Sequence, residues 1–382
     1  MRATTSLSIL AAAAFGASGC DIAPWDSSSS SLPSTPDGER AEGGPDAAPV
    51  EGGETDSAAG LDYRGPDDQF GREFAPSNAP YGGFGGGDCE ANGVPIVFVH
   101  GNGDVSQNWD FPPSVAGPSV YETLRAAGYN DCELFGINWL SDRERNAPAR
   151  NYHRPSKAAL AADFIEDVRA YTGSDSVDIV AHSMGATVAM HGLDDAGLWP
   201  VVRNFVSISG GLRGLTLCDA IGYANALFPA CGSQNVYNRD VFGFYRDAWY
   251  APNPNMGSRG FRAEPARREH VSFFTIRAGI HDQILCAPAG FVPGCDDSAL
   301  FEPAPNVLAQ LDVGHGSTAA DIDYSLGDWT IFNDAGGDLD GVGHFRARNN
   351  TGAVVRDMLT LSCTGAACCA DYDAPCRAET SP

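Results

Sequence analysis

Basic residues are scarce in this chain of 382 residues: 24 lysines and arginines face 49 aspartates and glutamates, for a formal net charge of -25. A surface so short of cations attracts neither a phosphate backbone nor anionic headgroups, which excludes nucleic-acid binding and charge-driven membrane docking. Long apolar runs are missing as well. The apolar segment from Leu7 to Ala17 is too short to span a bilayer as a helix, and no later segment reads as transmembrane. No C-x-x-C pair occurs, so the eleven cysteines do not spell out a zinc site. Asp334, Asp338 and Asp340 lack the spacing and the distal glutamate of a calcium loop. No metal and no cofactor is expected.

What the chain does carry at its start is an export signature. Arg2 precedes the short apolar segment, and A-S-G-C sets Cys20 after small residues, in the manner of a lipoprotein signal over residues 1–19. Cys20 is the expected lipidation site, with Ala17 standing where leucine is more usual; plain secretion is the alternative. Residues 20–80 are rich in Gly, Ser, Pro and acidic residues and poor in large apolar ones, so ordering them would cost entropy without burial to offset it. They read as an acidic tether, and residues 81–382 as one catalytic domain. Setting Cys20 aside leaves ten cysteines, which can pair completely. Local spacing suggests Cys89 with Cys132, Cys218 with Cys231, and Cys286 with Cys295, leaving Cys363, Cys368, Cys369 and Cys376 open.

The most informative string is V-D-I-V-A-H-S-M-G, residues 177–185, where an apolar run breaks into a small-x-Ser-x-Gly turn. That pattern is a nucleophile elbow: a strand turns so sharply into a helix that only small residues, here Ala181 and Gly185, fit beside Ser183. The context agrees. Leu160, Phe164, Ile165, Val168 and Tyr171 share one face of a preceding helix, and V-R-N-F-V-S-I-S-G follows as a buried strand. Upstream, V-P-I-V-F-V-H-G-N-G-D is a buried strand ending at His100 and a glycine-rich turn. Acyl transfer needs two backbone N-H groups for an oxyanion, and Asn102 and Met184 are the expected donors.

In such a site the acid follows the serine, and the histidine follows the acid. Asp282 stands just past the strand V-S-F-F-T-I-R and a turn glycine, which makes it the expected acid. For the base, His315 follows the strand-like V-L-A-Q-L-D-V closely, whereas His344 leads into the amphipathic run T-G-A-V-V-R-D-M-L-T-L. Residues alone leave both open.

The strings Y-G-G-F-G-G-G, H-G-N-G-D, G-Y-N-D-C-E, A-H-S-M-G, G-Y-A-N-A, C-G-S-Q-N, G-V-G-H-F-R and S-C-T-G resemble those of extracellular poly(3-hydroxybutyrate) depolymerases of the lipase-like type, which lack a separate substrate-binding domain. The resemblance runs from about Gly82 to Tyr372. It implies an α/β-hydrolase fold, with a mostly parallel central sheet, helices on both faces and an irregular aromatic-rich insertion. It further implies Ser183 as nucleophile, Asp282 as acid and His344 as base. The insertion would lie between Gly214 and Glu269, and its Tyr245 and Trp249, together with His100, are the expected substrate contacts. The implied substrate is a neutral, water-insoluble polyester or acyl ester, the enzyme a monomer, and its membrane contact a lipid at Cys20 alone. Two alternatives stay open: a lipase or general carboxylesterase, and a surface lipoprotein that binds hydrophobic material without catalysis.

Overall fold

A computed structural model describes residues 70–71, 73–110, 118–215, 229, 268–282, 284–286, 295–314, 343–372 and 376–379. The chain divides into two units, Met1–Asp62 and Tyr63–Pro382, and every described residue lies in the second. Eight strands among these residues make one sheet: β1 (Gly83–Phe84), β2 (Ile96–Val99), β3 (Leu134–Ile137), β4 (Val177–His182), β5 (Val202–Ile208), β6 (Ser272–Arg277), β7 (Val307–Asp312) and β8 (Arg377–Ala378). They stand in the order β1-β3-β2-β4-β5-β6-β7-β8. Strands β2 to β7 pair in parallel, while β1 and β8 run antiparallel to β3 and β7. The α-helices among the described residues are α1 (Val120–Ala126), α2 (Asp142–Arg145), α3 (Pro155–Thr172), α4 (Met184–Ala196), α5 (Arg346–Asn349) and α6 (Gly352–Leu359).

Parallel strands covered on both faces must be apolar on both sides, and these are. Along β2, Val97 and Val99 join one core cluster while Ile96 and Phe98 join the other, the two-residue alternation of a strand. The first cluster takes Ala161, Phe164, Ile165 and Val168 of α3 and Val188, Ala189 and Leu193 of α4. The second takes Val120 and Leu124 of α1 and Val354, Val355, Met358 and Leu359 of α6. Each large apolar side chain so buried contributes about 1.5–3 kcal/mol. Local signals agree with this packing. Proline at the first turn of α3 loses no hydrogen bond there, and Ser119 with Glu122 forms a reciprocal capping box at the start of α1. No helix among the described residues is long and apolar enough to cross a membrane.

The strand order fixes where a site can form. From β2 the chain moves to one neighbour, β3, and then returns to the other, β4, so the order reverses between β2 and β4. A crevice opens at the carboxyl ends of two such strands. This is the α/β-hydrolase fold that the sequence led us to expect.

Residues ahead of the expected boundary at 81 already pack on the sheet. Phe74 is buried in the first cluster, edge-on to Phe70 and Phe135, and the Gly71 amide donates to the Gly85 carbonyl. Two phenylalanines four residues apart supply burial that the composition of residues 20–80 as a whole conceals.

Candidate active site

At the end of β4 the chain turns directly into α4, and Ser183 between them has φ 54 and ψ -131. A non-glycine residue in that region is strained, and strain of this kind gathers at functional sites. Two backbone bonds hold the turn: the Ser183 amide donates to the Ile208 carbonyl at 2.8 Å, and the Ala186 amide to the Ser183 carbonyl at 3.1 Å. His182 and Met184 are buried, whereas Ser183 is only half-buried. Its side chain makes no hydrogen bond as a helix cap, so the hydroxyl is not taken up by α4.

The need for small neighbours now has a cause. A Cβ on residue 185 would lie 2.3 Å from the His100 carbonyl oxygen and 2.5 Å from that of Val99, because α4 starts hard against the end of β2. Gly101 is equally confined: a Cβ there would come within 2.9 Å of His182 Nδ1 and 3.0 Å of Ser183 Cβ. The glycine-rich turn after β2 thus touches the elbow itself. In that turn Asn102 Nδ2 donates to the Pro148 carbonyl at 2.9 Å, and Asn102 Oδ1 accepts from Asn151 Nδ2 at 2.7 Å. Met184 is the first residue of α4, at the positive end of that helix.

Asp282 follows β6 through a short turn and is fully buried. Its Oδ1 accepts from the Ile284 amide at 3.0 Å and the Leu285 amide at 2.8 Å, while both carboxylate oxygens meet His344 Nδ1, at 2.8 and 2.9 Å. A Cys286–Cys295 disulfide closes this loop, and the Cys286 amide donates to the Asp282 carbonyl at 2.9 Å. At the base of the loop, Arg277 is paired with Asp296 and Glu379.

His344 lies on a turn leading into α5 and is itself buried. It rests against the elbow: His182 Nε2 donates to the His344 carbonyl at 3.0 Å, and the two ring centroids are 4.7 Å apart. Burial, together with the neighbouring His344 and Arg348, holds His182 well below the ordinary histidine range, so it stays neutral. Ser183, the Asp282–His344 pair and the turn of Gly101 and Asn102 therefore gather around the end of β4 and the start of α4.

His100 has a different place from the one expected. It is fully buried, donating from Nδ1 to the Gly101 carbonyl at 2.7 Å and accepting the Trp139 amide at Nε2, 3.3 Å away. Trp139 stacks on the ring, and its Nε1 donates to the His100 carbonyl at 2.8 Å. Burial lowers its pKa to about 4. His100 is a neutral post beneath the turn, out of reach of substrate, because both of its nitrogens are occupied by backbone.

Tyr245, Trp249, His315, Cys20, Cys218 and Cys231 lie outside the described residues, as do Asp334, Asp338 and Asp340. The expected Cys89–Cys132 and Cys286–Cys295 bridges are present, and Cys363–Cys368 and Cys369–Cys376 answer the pairing left open. Four bridges accord with an oxidising, exported environment. Among the described residues the group with metal-ligand spacing is Cys286, Cys295 and Asp296, where the sulfurs are joined to each other and the carboxylate is paired with Arg277. Sequence reasoning missed His182, Asp104 and Arg348. The first looked like the end of an apolar strand, although the H-G-N-G-D string did put Asp104 beside the turn.

The profile of the class 2 lipase family matches residues 93–239, from before β2 to beyond β5. Among solved structures, the mature lipase BlEst2 of Bacillus licheniformis is 18% identical over 58% of this chain and 83% of its own, with a TM-score of 0.35. The α/β hydrolase MGS-MChE2, from a lagoon-sediment metagenome, is 15% identical over 55% of this chain and 78% of its own, with a TM-score of 0.29. Lipase B of Aspergillus fumigatus is 18% identical over 32% of this chain, with a TM-score of 0.25, and this chain spans 25% of its length. The sheet topology is that of an α/β-hydrolase fold, and within it residues 93–239 are similar to the class 2 lipases.

Proposed function

We propose that the protein is an exported serine esterase that hydrolyses poly(3-hydroxybutyrate)-type polyesters through an acyl-enzyme. The observation that carries the esterase reading is the His344 Nδ1 bond to Asp282, in a loop anchored to the residue beside Ser183. With Nδ1 donating to the carboxylate, Nε2 of His344 is the nitrogen left to act as base. His344 takes the Ser183 proton as Oγ adds to the ester carbonyl, and Asp282 fixes the tautomer and stabilises the imidazolium. The Asn102 and Met184 amides hold the oxyanion. Collapse expels the alcohol, which takes the proton from His344. Water then adds to the acyl-enzyme with the same base, releasing the hydroxyacid chain end and restoring Ser183.

The polyester rests on the family-like strings across the chain and on the net charge of -25, which repels acidic products. A triglyceride lipase is the second reading, favoured by the class 2 lipase match. Hydrolysis of amorphous poly(3-hydroxybutyrate), tributyrin and p-nitrophenyl butyrate, assayed side by side, separates the two. We expect the polymer to be the preferred substrate and Ser183→Ala to be inactive on all three. Tributyrin turnover with the polymer untouched would move the protein to the lipases, and an active Ser183→Ala protein would end the esterase reading.

A further inference from the structure

Beside the site lies a charged pair with no part in the chemistry above. Asp104 and Arg348 are buried, with side chains 4% and 2% exposed, and Arg348 Nη1 is bonded to Asp104 Oδ2. We propose that this ion pair is a latch between the turn carrying Asn102 and the turn carrying His344, making Arg348 a positioning residue for His344. The proposal rests on the esterase reading for its kinetic consequences.

The placement is the argument. Asp104 is two residues beyond Asn102, and its Oδ1 is bonded to the Val105 amide at 2.9 Å and to Asn108 Nδ2, so the carboxylate is rigidly part of the first turn. That turn is rooted in the sheet, since the Ser106 amide donates to Asn138 Oδ1 at 2.7 Å just past β3. Arg348 is four residues beyond His344 across a single helical turn, in which the Ala347 amide bonds back to Gly343 at 2.8 Å and the Arg348 amide to Phe345 at 3.1 Å. Its guanidinium also donates from Nε to Asn349 Oδ1 at 2.8 Å and lies 5.7 Å from the Trp109 ring centroid.

A buried pair is a poor source of stability, because desolvation offsets most of the attraction, whereas it does fix the register of the two elements it joins. Besides the Asp282 bond to its ring, His344 is held by His182 on its carbonyl, and its turn by Asp104 one helical turn later. His100 and His182 remain neutral through burial, with Arg348 acting in the same direction on both.

Arg348→Met should lower kcat on p-nitrophenyl butyrate about tenfold or more while KM moves less than about threefold, since sub-ångström misplacement of a base acts on the transition state. Arg348→Lys keeps a cation and should recover much of that loss. Asp104→Asn with Arg348→Gln keeps an uncharged bond and should fall between; it also carries the comparison if Arg348→Met does not fold. Hydrogen exchange is the independent readout. In Arg348→Met, peptides over 96–105 and 343–350 should lose protection together while 202–208 keeps its own.

Wild-type kcat in a folded Arg348→Met protein, or faster exchange in one of the two segments alone, would overturn the latch. A wild-type protein that hydrolyses no ester would instead overturn the esterase reading, and exchange would still decide whether the two turns are coupled.

Discussion

Ser183 is held in the backbone geometry of the first central residue of a type II′ turn, φ 54 and ψ -131, which glycine adopts freely. Placing a side chain in such a region costs about 1–3 kcal/mol. Glycine removes that cost but gives up about 0.5–1 kcal/mol of extra chain entropy on folding. The difference leaves Ser183→Gly more stable than Ser183→Ala by about 1 kcal/mol. The alanine variant is the right reference, because both proteins lack the hydroxyl and differ only at Cβ. The missing cap bond simplifies the comparison further, since neither variant removes a hydrogen bond that caps the helix. Urea unfolding of the two proteins side by side measures the difference, and both should be inactive on esters. A Ser183→Gly midpoint equal to or below that of Ser183→Ala would refute the idea that the elbow stores strain at its nucleophile.

Two further outcomes follow from the same geometry and charge. Gly185→Ala would drive a methyl group into the His100 and Val99 carbonyls and should cost about 1–3 kcal/mol, typical of overpacking. Gly192→Ala meets the Ala158 carbonyl at 2.3 Å on the far part of α4 and should destabilise similarly, yet only Gly185→Ala should lower kcat; equal kcat in both folded variants would sink the distinction. Burial raises the pKa of Asp178 from 3.8 to about 6 against the opposing bond from Arg203, and burial with Glu122 does the same for Asp110. Between about pH 4 and 6 the folded protein therefore keeps protons that the unfolded chain has released. Their contribution to stability is full below about pH 4 and is lost as pH rises through about 6. Asp178→Asn should flatten that stretch of the stability-pH curve, and an unchanged slope would contradict the burial argument.

Much of this site could be read in advance because local rules and the fold agree. The small-x-Ser-x-Gly turn demands strand before and helix after, and β4 and α4 are there, ending and beginning on either side of Ser183. Asp282 was legible for the same reason, since a buried strand followed by a turn glycine leaves few positions for a side chain to reach the crevice. The histidine was not. A base is defined by what it meets in space, and neither His315 nor His344 has a local pattern that names its partner. His100 misled because a histidine beside a glycine-rich turn looks exposed, whereas Trp139, two residues past the end of β3, covers it. The Arg348–Asp104 pair joins positions 244 residues apart, a distance at which sequence spacing carries no signal. Phe70 and Phe74 were lost in the averaged composition of their neighbourhood.

Both borders of the sheet are finished in the same way. A parallel sheet ending in a bare β3 or β7 would offer unpaired amides and carbonyls to another molecule, the usual route to edge-to-edge aggregation. Here two-residue strands running the opposite way, β1 and β8, occupy those borders among the described residues, and one is a buried glycine–phenylalanine pair while the other begins with arginine. The Cys369–Cys376 bond ties down the segment that delivers β8. That sulfur bridge therefore guards against self-association as much as against unfolding.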